Sequence, residues 1–128
     1  MQEILSYEGH TKRLTSAMIS PVAGTSLVTA STDNQLRIFE TESGRLKKSL
    51  SYNNHSGGLR AEWHPRRDDL FFVGSEQSTQ INAFTDAGMK LPAIRAKLLQ
   101  SVCSVVKCHP TQNVVVGGNS SGTVHVLV

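Results

Sequence analysis

The fold is decided by residues 9–40, GHTKRLTSAMISPVAGTSLVTASTDNQLRIFE. In this stretch, short runs rich in apolar and β-branched residues alternate with turns of small and polar residues, including Pro21 and Gly24. Short strands separated by such turns are typical of antiparallel β-structure. We therefore predict four strands, over residues 14–19, 26–30, 35–39 and 45–50.

The same pattern recurs twice along the chain at a nearly constant spacing. Prolines that end apolar runs are 44 and 45 residues apart, at Pro21, Pro65 and Pro110. Small-residue pairs that close a second run are 44 residues apart, at 30–31, 74–75 and 118–119. A third apolar run lies at 36–39, 81–84 and 124–127. Three markers with one period indicate three copies of a single structural unit.

A four-stranded unit of about 40–45 residues has the length of one blade of a WD-type β-propeller. We therefore expect an all-β fold, a partial and unclosed propeller of about three four-stranded antiparallel blades. The predicted units are approximately residues 9–50, 51–98 and 99–128, with residues 1–8 as a strand of a preceding blade. Because propellers close with about four to eight blades, we expect the C-terminal part of a larger propeller or a truncated gene model. Residues 90–99 are ambiguous, but Pro92 argues against a helix there.

The first unit resembles the WD-repeat pattern most clearly. It has a Gly-His pair, a serine in the second strand, an aspartate in the tight turn and an aromatic residue in the third strand. The resemblance implies a hydrogen-bonded structural network at His10, Ser31, Asp33 and Phe39. Phenylalanine replaces the family's tryptophan, so the indole N–H donor is missing.

Composition and charge exclude several classes of protein. The 128 residues contain 38% hydrophobic and 18% charged residues, which is ordinary for a globular chain. No apolar run is long enough to span a membrane, and no signal peptide is recognisable, so we expect a soluble intracellular protein. The net charge is +3, and no carboxylate follows Asp86. A polyanion partner and an ordinary solvated surface both remain open.

The residue patterns of catalytic and metal sites are missing. Cys103, Cys108 and His109 do not have the spacing of a structural zinc site, and two cysteines cannot build a disulfide scaffold. His64 and His109 both precede a proline at equivalent points of the repeat, which favours a structural corner. No nucleophile or phosphate-loop motif appears. We therefore expect no metal, no cofactor, no enzymatic activity and no membrane partner.

Three segments carry a closer resemblance, at residues 19–40, 59–65 and 101–128. They are similar to the family of WD-repeat propellers that contains the small subunit of the damage-specific DNA-binding complex. The resemblance implies nuclear binding of damaged or modified duplex DNA, a role in genome maintenance, and chromatin-associated partners. The family can also recruit a cullin-type ubiquitin ligase through Trp-Asp-x-Arg. At residues 39–42 both the Trp and the Arg are absent, so ligase recruitment is not assigned to these residues.

In this family, a hairpin loop before the Trp-His-Pro segment wedges into DNA at a lesion. The matching loop begins at Tyr52, and the resemblance gives Asn54 and His55 as DNA-contacting residues. The family's phenylalanine falls at Asn53, so the apolar wedge is absent, although contact through the loop backbone remains open.

Alternating loops predict two rims for the blades. We expect the rim formed by loops 9–14, 52–59 and 99–102 to bind DNA phosphates. Its predicted cationic residues are Lys12, Arg13, His55 and Arg60. The opposite rim receives Arg45, Arg66, Arg67 and Lys90. A second interpretation of Arg60 is that it only caps a sheet edge. For the whole chain, the alternative function is a nuclear protein-interaction scaffold without DNA contact.

Overall fold

A computed structural model describes residues 5–77, 79–95, 103–119 and 121–128. The first sheet contains four antiparallel strands in sequence order. They are β1 (Leu14–Ile19), β2 (Ser26–Ser31), β3 (Gln35–Glu40) and β4 (Leu46–Ser51). Each lies within two residues of its predicted position.

The turn between β2 and β3 is tight, with Asn34 at φ 63°, and it places Ser31 opposite Gln35. Asparagine tolerates this left-handed conformation better than most residues, which explains the turn.

Two further sheets repeat this arrangement. The second contains β5 (Ala61–Trp63), β6 (Leu70–Val73), β7 (Ile81–Thr85) and β8 (Lys90–Ile94) in sequence order. The third contains β9 (Cys103–Cys108), β10 (Val115–Asn119) and β11 (Val124–Leu127). Every paired neighbour is antiparallel. The predicted all-β, unclosed blade architecture is confirmed, with the difference that the third sheet has three strands among the described residues.

The predicted blade boundaries and the preceding-blade strand stay predictions. Residues 1–4 lie outside the described residues, and residues 5–10 form no strand. Tyr7 instead packs edge-on against Phe39, with ring centroids 5.5 Å apart. Its hydroxyl donates a hydrogen bond to the carbonyl oxygen of Thr41 over 2.7 Å.

The main core lies between the first two sheets. Alternate residues of β2 and β3 face the second sheet, which is the period-2 pattern of strands. The buried cluster contains Val28, Ala30, Leu36, Ile38, Ala61, Trp63, Phe71, Val73 and Phe84. Trp63 is buried, and its Nε1 donates to the carbonyl oxygen of Met18 over 2.8 Å. This bond joins β5 to β1, so the tryptophan ties the two sheets together through both packing and a polar contact.

A second cluster joins the second sheet to the third. Phe72, Ile81 and Ala83 on one side meet Val106 on the other. The opposite face of the third sheet remains exposed, with Val124 and Val126 more than 60% accessible. The three sheets therefore stack side by side, and the loops at their two ends form continuous edges.

Candidate nucleic-acid interface

Antiparallel strands bring alternate loops to the same edge, so the stacked sheets have two rims. Among the described residues, the upper rim consists of segments 9–13, 32–34, 52–60, 74–77, 79–80 and 121–123. The lower rim consists of segments 20–25, 41–45, 64–69, 86–89 and 109–114. Predicted loop 99–102 lies outside the described residues.

The predicted cationic side chains of the upper rim are exposed and have no carboxylate partner. Lys12, Arg13, His55 and Arg60 are all exposed. Within the described part of the chain, none of these four side chains forms an ion pair or a hydrogen bond. The positive charges of Lys12, Arg13 and Arg60 are therefore available to an external anion.

The lower rim is different, because most of its cations are already engaged. Arg45 Nη2 lies 3.1 Å from Glu40, and Arg67 Nε lies 2.8 Å from Asp69. The hydrogen bond from Arg67 holds the pKa of Asp69 below its usual value. Arg66 donates to the Asn113 side chain over 2.8 Å. Lys90 is exposed at the start of β8. Paired cations contribute little net attraction for a polyanion.

The three strongest upper-rim cations do not converge on one pocket. Lys12 lines an open cavity of about 600 Å³ on the free face of the first sheet. Arg60 lines a groove of about 210 Å³ shared by β1, β5 and β9. Arg13 lies beside Gly57 of the loop between the first two sheets, since its Nη2 is 3.0 Å from where a Cβ on Gly57 would stand. The three cations are therefore spread over the rim, which suits a repeating backbone better than a single small anion.

Asn54 is not available for DNA contact, which corrects the prediction made from the resemblance. The residue is 1% exposed. Its Nδ2 donates to Thr15 Oγ1 over 2.9 Å and to the Ser31 carbonyl over 3.1 Å. Its Oδ1 accepts the Leu59 amide over 3.0 Å. A buried side chain whose polar groups are all used is a structural anchor, and it fixes the loop to the first sheet.

The backbone amides of the same loop are also engaged. The amides of residues 54–59 all donate within the protein. One of them, the Ser56 amide, reaches the Glu76 carboxylate over 3.1 Å, and the Ser56 hydroxyl bonds the same carboxylate. Backbone contact with phosphates, which the sequence left open, would require these bonds to break. Side chains are therefore the contacting groups that this loop offers.

His10 lies in a hydrogen-bonded network with Asp33 and Thr29. His10 Nδ1 donates to Asp33 Oδ2 over 3.0 Å. Burial opposes the charge on Asp33, but bonds from the Thr11 amide and His10 outweigh it and lower its pKa. The second contact of His10 is Thr29, with Nε2 and Oγ1 2.6 Å apart. Ser31, predicted for that place, instead accepts the Asp33 amide over 3.2 Å.

Thr29 was missed because Thr29 and Ser31 lie two residues apart on one strand. Both hydroxyls therefore point to the same face of β2. The position of the His10 ring along the strand determines which of the two hydroxyls it contacts. Phe39 lies on that face as well and is 1% exposed. Its ring packs against Tyr7, so an apolar contact stands where the family pattern has a tryptophan.

Gly9 directly precedes His10 and has a backbone conformation that other residues rarely adopt. We therefore expect Gly9→Ala to destabilise the fold. Gly9 has φ +138°, and an added Cβ would lie 2.3 Å from Arg37 Nη1. The strained backbone and the displaced guanidinium should together cost about 1–3 kcal/mol, measurable as a lower urea midpoint. Gly58→Ala is the matched control, because the nearest atom to its Cβ would be Ser56 Oγ at 3.5 Å. Equal midpoints for the two variants would contradict this role of Gly9.

His64, His109 and Cys108, considered above as candidate catalytic or metal-binding residues, occupy structural positions, and the side chain of Cys103 lies outside the described part of the chain. His64 and His109 each cap the turn after them through Nδ1, which accepts the amides of Arg66 and Thr111. Burial raises the pKa of Cys108 to about 11, so its thiol is a poor nucleophile. The described residues contain no group of three side chains suited to a metal. They also contain no helix long and apolar enough to cross a membrane.

Comparison with known proteins gives the relationship of the chain. It is 36% identical over 136 aligned residues to WD repeat-containing protein 76 of Xenopus laevis, covering 98% of this chain and 23% of that protein. It is 28% identical to the Arabidopsis thaliana Protein DAMAGED DNA-BINDING 2, covering 87% of this chain and 23% of that protein. The chain thus spans about a quarter of these curated relatives. No protein-family model matches it.

The fold comparison agrees with the sequence comparison. The C-terminal WD40 domain of Sif2 superimposes with a TM-score of 0.72 at 14% identity, covering 94% of this chain and 33% of that domain. At this identity the likeness concerns the fold alone. Together with the blade-like sheets and the His10 network, these findings show that the chain is a WD-repeat protein related to WD repeat-containing protein 76 and to DNA damage-binding proteins.

Proposed function

We propose that this chain is part of a nuclear WD-repeat propeller that binds duplex DNA through its upper rim. The observation that carries the proposal is the difference between the rims. Lys12, Arg13 and Arg60 have no acidic partner among the described residues, while Arg45 and Arg67 on the lower rim are paired with carboxylates. Unpaired cations spread over one rim are suited to phosphates, which supply most of the affinity of nucleic-acid binding.

The biological role follows from the relatives. DNA damage-binding proteins are among them, so we propose a role in the DNA damage response and genome maintenance. Preference for damaged or modified duplex belongs to the same proposal. The partners would be duplex DNA and chromatin-associated proteins. The ubiquitin-ligase link rests on the family alone, and no cofactor is required.

A second candidate is a protein-interaction scaffold without direct DNA contact. The fold favours it, because solved chains of this fold occur in protein assemblies, among them the Mitotic Checkpoint Complex.

The two candidates make opposite predictions for binding to purified DNA. We expect the chain to bind a labelled 25-base-pair duplex with a Kd of about 10⁻⁴–10⁻⁶ M near physiological salt, measured by fluorescence anisotropy. We also expect its retention on chromatin to be lost after nuclease digestion. Absence of binding even at low salt, together with nuclease-resistant retention, would contradict DNA binding and favour the scaffold.

A further inference from the structure

The third sheet exposes the residues that the first sheet buries at the same points of the repeat. Val124 and Val126 on β11 are equivalent to Leu36 and Ile38 on β3, at a constant spacing of two repeats. Leu36 and Ile38 are buried in the core between the first and second sheets. Val124 and Val126 are 66% and 63% exposed. The outer face of the third sheet therefore has the apolar pattern of a face that another sheet covers.

The first sheet exposes the face that receives such a contact. On the second sheet, the receiving face carries an aromatic row that packs against the first sheet, formed by Trp63, Phe71 and Phe84. The equivalent row of the first sheet crosses β1, β2 and β3 on the side turned away from the core, and consists of Ile19, Leu27 and Phe39. Leu27 and Phe39 line the open cavity of about 600 Å³, and Ile19 is 59% exposed. One chain thus carries both halves of a sheet-to-sheet contact.

A tyrosine near the N-terminus marks where the covering sheet would lie. The triplet Leu-Ser-Tyr occurs twice, ending at Tyr7 and at Tyr52. Tyr52 directly follows β4, the fourth strand of the first sheet, and packs edge-on against Phe84 of the second sheet at 5.9 Å. Tyr7 packs in the same way against Phe39 of the first sheet at 5.5 Å. Tyr7 therefore takes the place of a residue that follows the fourth strand of a preceding sheet.

We infer that two copies of this chain close a ring of six sheets, in which the third sheet of each copy packs on the first sheet of the other. Because the two faces differ, the contact is head-to-tail and forms a closed ring or an open filament. Propellers close with about four to eight sheets, which fits two copies of three sheets. The third sheet ends at β11 after three described strands, so residues 5–7 of the other copy would lie beside β11. The inference goes beyond the proposed function, since the second copy supplies the rest of the propeller, and it does not depend on DNA binding.

The test is sedimentation equilibrium of the full chain over a series of micromolar concentrations. We expect a mass of about twice the 13.9 kDa of one chain. Val126→Lys and Ile19→Lys should each weaken the dimer, because each buries an unpaired charge at both contacts of the ring. The loss should be about thirtyfold for each contact, and so about a thousandfold in the dissociation constant of the dimer. Val126→Thr keeps the branched shape and should weaken the dimer in the same direction, which provides a readout if Val126→Lys fails to fold.

Met89→Lys is the matched control, because Met89 is an apolar side chain of the lower rim that is 67% exposed. This variant should keep the dimer of the unaltered chain.

A single-chain mass for the unaltered protein at every concentration would overturn the inference, and so would a mass that grows beyond two copies, which indicates a filament. A dimer that survives the changes at Val126 and Ile19, or that Met89→Lys weakens equally, would also contradict it. Duplex binding by a single-chain species would leave the proposed function in place. A dimer that binds no duplex would contradict the proposed function alone.

Discussion

Simultaneous replacement of Lys12, Arg13 and Arg60 by glutamate is expected to weaken duplex binding about a hundredfold at physiological salt. Each reversal removes one phosphate attraction and adds one repulsion, and exposed charge contacts contribute about 0.5 kcal/mol apiece. Together they amount to about 3 kcal/mol, which is two factors of ten in Kd. Since all three side chains are exposed, the fold should tolerate the change, which a thermal melt would verify.

The matched control reverses three cations of the lower rim, Arg45, Arg66 and Arg67. The change in net charge is the same, so both variants alter the overall field of the protein equally. If the upper rim is the binding surface, the control should weaken binding less than about fivefold. An equal loss in the two variants would mean that the net charge alone matters, and the assignment to one rim would be wrong.

Asn54→Leu is expected to cost about 3 kcal/mol of folding stability. The substitution leaves the Leu59 amide and the Ser31 carbonyl buried without their partner, and each unsatisfied group costs about 1–3 kcal/mol. For a domain of this size the melting temperature should fall by roughly 10 °C. Thermal unfolding followed by circular dichroism measures the difference.

Asn53→Leu, one residue earlier, is the comparison for this prediction. Asn53 makes one loop bond, to the His55 amide, so its loss should cost less than about 1 kcal/mol. Similar melting temperatures for the two variants would show that Asn54 does not anchor the loop. A stable Asn54→Leu chain that loses DNA binding would return Asn54 to the contacting residues.

The fold was predictable because its signals are local and repeated. Prolines at a constant spacing end one strand of each unit, and the turn at residues 32–34 fixes the register of β2 and β3. Residues 90–99 were ambiguous from sequence, and Pro92 argued against a helix; the structure has a strand at Lys90–Ile94. It is the edge strand of its sheet, where a missing backbone donor is tolerated.

The site was only partly predictable. Exposure of Lys12, Arg13 and Arg60 follows from their positions at strand ends, which the repeat defines. In contrast, Asn54 and His55 are neighbours in an irregular loop, where no periodicity tells which side chain points inward. The pairing of lower-rim arginines with Glu40 and Asp69 depends on turn geometry in the same way. The repeat in the sequence therefore predicts which loops share a rim. It does not predict which cationic side chains pair with a carboxylate, because that pairing depends on the three-dimensional structure.

The salt dependence of duplex affinity tests the central claim most directly. The logarithm of affinity falls linearly with the logarithm of salt concentration, by about 0.9 per phosphate contact. Neutralising Lys12, Arg13 and Arg60 to alanine should therefore reduce this slope by about three units, while the alanine variant of Arg45, Arg66 and Arg67 should keep the slope of the unaltered chain. An unchanged slope in the first variant, or an equal reduction in both, would contradict binding of DNA through the upper rim.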